Sequence, residues 1–123
     1  MTPPLISVVD DDHSVRESLA RLIRSVGFGV QVFASAEEFL SRGPGREPDC
    51  LILDIRMPGM NGLELQRELS ASNSDLPVIF ITAHGSDEQV RTRALGAGAV
   101  AYLLKPLREE EVLKAIDAAL SSK

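Results

Sequence analysis

Three aspartates and a lysine stand just past the ends of short apolar runs. The runs are Leu5-Ile6-Ser7-Val8-Val9, Leu51-Ile52-Leu53, Val78-Ile79-Phe80-Ile81 and Tyr102-Leu103-Leu104, and they lead into Asp10-Asp11, Asp54, Thr82 and Lys105. An oxygen-only cluster of Asp10, Asp11 and Asp54, with no His or Cys, selects a hard cation, Mg²⁺ or Mn²⁺, over Zn²⁺. The three carboxylates carry −3, which one Mg²⁺ and Lys105 together offset. Without the cation the carboxylates repel, and at least one proton is held more tightly than normal. A neutralised carboxylate beside a cation, an ammonium and a hydroxyl is equipped for phosphoryl transfer. Asp54, alone on its strand, is the natural nucleophile, forming an aspartyl phosphate that Thr82 and Lys105 contact. Each residue also has a plainer reading. Asp11 or Asp12 can simply cap the next helix, a Thr often ends a strand, and Lys105-Pro106 can be only a turn. The functional reading rests on their convergence at one edge.

The elements that must position these groups alternate along the chain. Short, nearly all-apolar runs fit strands buried on both faces of a parallel sheet, whose ligands bind at the strand carboxyl ends. Val15, Leu19, Leu22, Ile23 and Val26 recur at helical spacing, and Gly27 stops that helix. Val30 to Phe33 read as a second strand, and Ser35 with Glu38 starts a helix through about Ser41. Asn61 and Glu64 cap a helix whose buried side is Leu63, Leu65 and Leu69. Ser86 and Gln89 cap a helix over 86–98, with Val90, Ala94, Leu95 and Ala97 as its apolar face. That thin face, with Gly96 and Gly98 at its end, predicts low local stability. The last helix carries Val112, Ala115, Ile116, Ala119 and Leu120 on one side. Residues 42–48 read as a surface loop. Strict alternation predicts an α/β fold: a flavodoxin-like doubly wound (βα)5 unit with a five-stranded parallel sheet of order 2-1-3-4-5. Its switch point lies between strands one and three, which Asp10, Asp11 and Asp54 terminate.

Composition sets outer bounds. The 123 residues, 44% hydrophobic and 25% charged, suit one domain over 1–123 with a core of about 5–120. Cys50 is the only cysteine and reads as a buried thiol. No apolar stretch approaches the roughly 20 residues needed to span a bilayer, and the N-terminus shows no signal peptide. A net charge of −5 argues against direct nucleic-acid binding by this domain. A cytoplasmic location is consistent with these features.

The motifs Val9-Asp10-Asp11-Asp12, Leu53-Asp54-Ile55-Arg56-Met57-Pro58-Gly59-Met60-Asn61-Gly62, Ile81-Thr82-Ala83 and Leu104-Lys105-Pro106 resemble a response-regulator receiver domain of two-component signalling. The segments around Phe39-Leu40 and Thr82-Ala83-His84-Gly85 are similar to its FixJ-like branch. The resemblance implies that Asp54 takes a phosphoryl group from the phosphohistidine of a sensor histidine kinase. It implies Mg²⁺ held by Asp11, Asp54 and the Arg56 backbone carbonyl, with Asp10 acting mainly through water. Thr82, Lys105 and the Ala83 backbone N–H would contact the phosphoryl group. Lys105-Pro106 would be a cis peptide, Tyr102 the switch aromatic, and Arg56 and His84 modulators of phosphoryl lifetime. The output face would be helix 86–98, strand 99–104 and the last helix, where many receivers form homodimers. Such a domain is no enzyme beyond its own phosphorylation and dephosphorylation, and its usual output is transcription regulation. Leu107 and Ala101 depart from the common family pattern, in which Phe and an acidic residue are frequent.

Two other classes fit less well. A haloacid-dehalogenase-type phosphatase needs a second acid two residues after its nucleophile, where this chain has Arg56. A flavodoxin needs a Ser/Thr/Gly-rich phosphate loop after the first strand, which is missing, and aromatics for a flavin, which are scarce at 4%. An unphosphorylated interaction module has no use for the complete set of acids, Thr82 and Lys105.

Overall fold

The computed structural model describes residues 2–72, 74–83 and 88–121. Among these, five strands alternate with five helices: β1 (Leu5–Val9), α1 (His13–Ser25), β2 (Gly29–Phe33), α2 (Ala36–Leu40), β3 (Cys50–Asp54), α3 (Gly62–Ala71), β4 (Val78–Thr82), α4 (Glu88–Gly96), β5 (Ala101–Leu104) and α5 (Glu109–Ser121). All strands pair in parallel, in the order β2-β1-β3-β4-β5. This is the doubly wound arrangement that the alternation predicts.

The apolar runs divide by position in the sheet. Every residue of β1, β3 and β4 is buried. The outer strands have one neighbour each and are partly open: Val32 on β2 is 41% exposed and Leu104 on β5 is 51% exposed. The expectation of burial on both faces therefore fails for Tyr102-Leu103-Leu104, because an edge strand has solvent on its unpaired side.

Helices cover both faces. One core layer joins Ile6, Val8, Ile52, Ile79 and Ile81 to Leu19 and Ile23 of α1 and to Val112 and Ile116 of α5. Cys50 is buried in the same layer. The other joins Val9, Leu51, Leu53 and Phe80 to Phe39 of α2, Leu65 and Leu69 of α3 and Ala94 of α4. Each large apolar side chain buried this completely contributes about 1.5–3 kcal/mol.

Local signals set the helix ends. Asp12 caps α1, its side chain accepting from the Ser14 N–H at 2.8 Å, so capping falls to Asp12 and not to Asp11. Val26 lies past the end of α1 and is 42% exposed, so it does not belong to the buried face. Gly27 follows at φ +88°, a conformation suited to glycine. The Ser35 hydroxyl accepts from the Glu38 N–H at 3.0 Å, and α2 ends at Leu40. Asn61 and Glu64 form a reciprocal capping box, with both bonds at 2.9 Å. Leu63, expected on the buried side of α3, is half-buried.

α4 ends at Gly96, short of the expected end at 98. Ser86, its expected cap, lies outside the described residues, and Gly98 sits beyond the helix at φ +95°. Only Ala94 of the expected apolar face is buried; Val90 is half-buried, and Leu95 and Ala97 are exposed. The helix covers the β4–β5 side of the sheet, where the outer strand leaves little apolar surface to bury. A buried side chain holds its far end: Gln66 of α3 donates from Nε2 to the Ala97 carbonyl at 3.3 Å.

One glycine is dictated by packing. A Cβ at Gly62 would meet the Asp54 carbonyl oxygen at 2.5 Å and the Ile55 Cα at 2.9 Å. The Gly62 N–H donates to the Ile55 carbonyl at 2.9 Å, so the first turn of α3 is laid directly on the backbone that carries Asp54. Gly96, in contrast, has nothing within 4 Å of such a Cβ. Gly62→Ala is therefore expected to cost about 1–3 kcal/mol by forcing a backbone shift. Gly96→Ala should be neutral or gain about 0.4–1 kcal/mol. Denaturant unfolding of the two variants checks the contrast, and equal effects would contradict it.

Candidate functional site

The parallel register brings the candidate residues together. Val9 pairs with Leu53, so the next residues, Asp10 and Asp54, come level across neighbouring strands. Asp54 pairs with Ile81, and Thr82 pairs with Leu104, so Thr82 and Lys105 follow at the same edge. The Lys105 N–H donates to the Thr82 carbonyl at 2.8 Å, which ties the last two strand ends together beyond the ladder. Pro106 follows through a cis peptide.

Charge is concentrated here under little solvent. Asp10 is fully buried, and Asp54 and Thr82 are 4% and 1% exposed. One oxygen each of Asp10, Asp11 and Asp54 lies within 4.8 Å of the others, with Asp11 on the exposed side. Lys105 Nζ reaches across this group, 2.9 Å from Asp10 Oδ2 and 3.5 Å from Asp54 Oδ2. Backbone N–H groups take the remaining sides. Asp12 N–H donates to Asp10 Oδ1 at 2.8 Å, and Arg56 N–H donates to Asp54 Oδ1 at 3.2 Å.

Burial pushes the Asp54 carboxyl up to about 6, and the neighbouring Asp10 charge adds to the rise. Lys105 and the Arg56 N–H pull it back only in part. Burial also works against the Lys105 ammonium, but the bond and charge of Asp10 and the charge of Asp54 outweigh it and raise the lysine above its ordinary range. The tightly held proton that the charge count predicts thus belongs to Asp54. The donor set suits a hard divalent cation: oxygen atoms only, convergent, with one exposed member through which water-bearing Mg²⁺ can approach.

The other expected residues are placed as follows. Ala83 is exposed, one residue beyond Thr82. Tyr102 is half-buried against the β3–β4 core layer, with its hydroxyl oxygen out of solvent. Arg56 is exposed at the mouth of the site. His84 lies outside the described residues. Leu107 packs against the α1–α5 layer.

Two contributors were not foreseen. Arg16 of α1 donates from Nη1 to the Asp10 carbonyl at 2.7 Å, holding the backbone between the acidic residues. Gly62 permits the close approach under Asp54. An Arg on a helix carries no sequence signal for a bond to a strand-end carbonyl. Gly62 is visible in the motif, but its reason is a distance that only the fold supplies.

Among the described residues, no helix is long and apolar enough to cross a membrane. The family model for the response regulator receiver domain matches residues 6–117. The response regulator protein TodT of Pseudomonas putida is 47% identical over 116 residues, covering 94% of this chain and 51% of that protein. Nodulation protein W of Bradyrhizobium diazoefficiens is 47% identical over 118 residues, covering 96% of this chain and 52% of that protein. The crystal structure of FixJ-N superposes with a TM-score of 0.88 at 36% identity, covering 100% of this chain and 98% of that one. The chain spans about half the length of the curated relatives it matches. With a model match over most of its length and relatives of this similarity, the chain belongs to the response regulator receiver domain family.

Proposed function

We propose that this chain is a single receiver domain over 1–123 that works as a phosphoacceptor switch. Asp54 accepts a phosphoryl group from a phosphohistidine of a sensor histidine kinase. The observation that carries the proposal is the state of Asp54: a carboxylate buried between Asp10 and Lys105, with its pKa pushed up to about 6. A structural carboxylate is normally held below its ordinary pKa by its partners. One held above it, among acids that repel it, suits a group whose charge is to be altered.

An Asp54 oxygen attacks phosphorus, the new P–O bond forms as the P–N bond breaks, and the histidine nitrogen leaves with the electron pair. Asp11, Asp54 and the Arg56 backbone carbonyl would hold Mg²⁺ (or Mn²⁺), with Asp10 contributing mainly through water. The cation, when bound, offsets charge on the attacking carboxylate and on the phosphoryl oxygens. Lys105 and the Ala83 N–H each pair with a phosphoryl oxygen, and Thr82 turns its hydroxyl to another. Arg56 and His84 govern water access at the mouth, and with it the lifetime of the phosphoryl group.

Phosphorylation changes about one negative charge into about two. Thr82 and Lys105 lie at the ends of β4 and β5, so they carry that change toward α4, β5 and α5 with Tyr102 in the middle. This face is the proposed output surface and homodimer contact. α4, with one buried side chain, has little packing to resist displacement. Transcription control is the proposed output, as the name of the transcriptional regulatory protein FixJ states for that relative. The acidic balance leaves DNA contact to another surface, and the proposed location is the cytoplasm. The domain is not an enzyme beyond its own phosphorylation and dephosphorylation.

Acetyl phosphate with Mg²⁺ should add one phosphoryl group, read by intact mass, and Asp54→Asn should abolish the gain. An unchanged gain in that variant would overturn the assignment. A second outcome follows from the raised pKa. The folded state binds the Asp54 proton more tightly than the unfolded chain, so Asp54 costs stability as pH rises from about 4 to about 6. Asp54→Asn should therefore raise the melting temperature at pH 7.5, and the gain should shrink toward pH 5. Mg²⁺ competes with the same proton and should stabilise the native protein at pH 7.5 far more than at pH 5. Thermal melts of both proteins across this range, with and without Mg²⁺, test the sign.

A further inference from the structure

The loop between β3 and α3 is pinned at three places. At its start, the Arg56 N–H donates to Asp54 Oδ1 at 3.2 Å. At its base, the Gly62 N–H donates to the Ile55 carbonyl at 2.9 Å. Both of these pins lie within the loop's own neighbourhood. The third comes from a remote element: Glu37 of α2 accepts at Oε2 from the Met60 N–H at 2.9 Å, across 23 residues of sequence.

This contact is built on both sides. The loop offers a glycine at the point of approach: a Cβ at Gly59 would lie 2.7 Å from Glu37 Oε2 and 3.4 Å from its Cδ. Gly59 also adopts φ +75°, which turns the next N–H toward α2. The helix, for its part, is held firmly. The Ser35 hydroxyl caps it, and Phe39 is fully buried with its ring edge-on to Phe33 at 5.2 Å. Glu37 therefore stands on a fixed base although its carboxylate is exposed. The Met60 N–H, with Glu37's own backbone N–H, holds the carboxyl below the usual carboxylate range, so the acceptor stays ionised at neutral pH.

We infer that Glu37 is a positioning residue for the metal site: by clamping the Met60 N–H it holds the loop that presents the Arg56 carbonyl to the cation. The inference rests on the proposed Mg²⁺ reading. Glu37 touches neither the cation nor the phosphoryl group. Its effect is to remove conformations of the loop in which the Arg56 carbonyl points elsewhere, so binding pays less ordering cost. Outer-shell partners bonded directly to a metal ligand typically change affinity about 10–100-fold, and Glu37 acts one step further out, through the loop backbone. An exposed bond should fall below that range.

Two substitutions separate the bond from the charge. Glu37→Gln keeps an oxygen acceptor in the same place and removes the charge, whereas Glu37→Ala removes both. Mg²⁺ affinity is measured by calorimetry on the full chain, and exchange of the Met60 amide is measured by NMR without metal. Glu37→Ala should weaken Mg²⁺ binding roughly three- to tenfold and speed Met60 exchange, in keeping with a lost outer-shell partner. Glu37→Gln should stay near wild type in both. Unchanged affinity in Glu37→Ala, or equal losses in the two variants, overturns the clamp while leaving the metal site standing. Failure of the wild-type protein to bind Mg²⁺ at all overturns both readings.

Discussion

Two buried carboxylates, Asp10 and Asp54, share one ammonium, and the rest of the site follows from that arrangement. Lys105 lies 2.9 Å from one and 3.5 Å from the other. With the exposed Asp11 alongside, the four groups sum to −2 when ionised, and Asp10 and Asp54 lie under almost no solvent. Burial raises the pKa of Asp54, the neighbouring Asp10 charge adds to the rise, and the single lysine offsets it only in part. Holding a proton withdraws charge from Asp54, and the proposed divalent cation would withdraw it from the same carboxylate, so the two would compete there.

Holding such a cluster together requires a scaffold that does not yield to its repulsion. The three central strands are buried at every residue, so the strand ends bearing Asp10, Asp54 and Thr82 are fixed by apolar packing on both faces of the sheet. Apolar burial of this kind is worth far more than the electrostatic penalty of one displaced pKa. The backbone then finishes the alignment. N–H groups of Asp12 and Arg56 hold individual carboxylate oxygens, Arg16 holds the Asp10 carbonyl, and Gly62 lets α3 lie against Asp54 itself.

The sheet order is legible from the strict strand–helix alternation of the whole chain, and the strand-end placement of the acids and the caps at Ser35 and Asn61 are legible because they are local. These placements and caps depend on period, on residue type and on neighbours within four positions. What was not legible is of two kinds. The first is exposure at an edge. Leu104 looks like a core residue in sequence, yet it is 51% exposed, because the last strand has no partner beyond it. The second is contact across distance. Glu37 on Met60, Arg16 on the Asp10 carbonyl and Gln66 on the Ala97 carbonyl each join elements whose proximity no local pattern encodes. Their donors and acceptors are ordinary charged or amide side chains that a sequence reading assigns to solvent.

The Gln66 contact bears on how a switch can be built at so little structural expense. α4 buries one side chain, Ala94, with Val90 partly buried beside it, and Gln66 of α3 donates a neutral hydrogen bond to the Ala97 carbonyl just past its described end. A bond of that type contributes about 0.5–1.5 kcal/mol. In the proposed switch, the charge that phosphorylation adds at Asp54 would act through Thr82 and Lys105 to favour a second position of α4. The proposed function asks for this contrast: a site held rigidly by three buried strands, beside an element whose position is weakly determined. α5, which buries four side chains, is the firmly packed helix of the proposed output face.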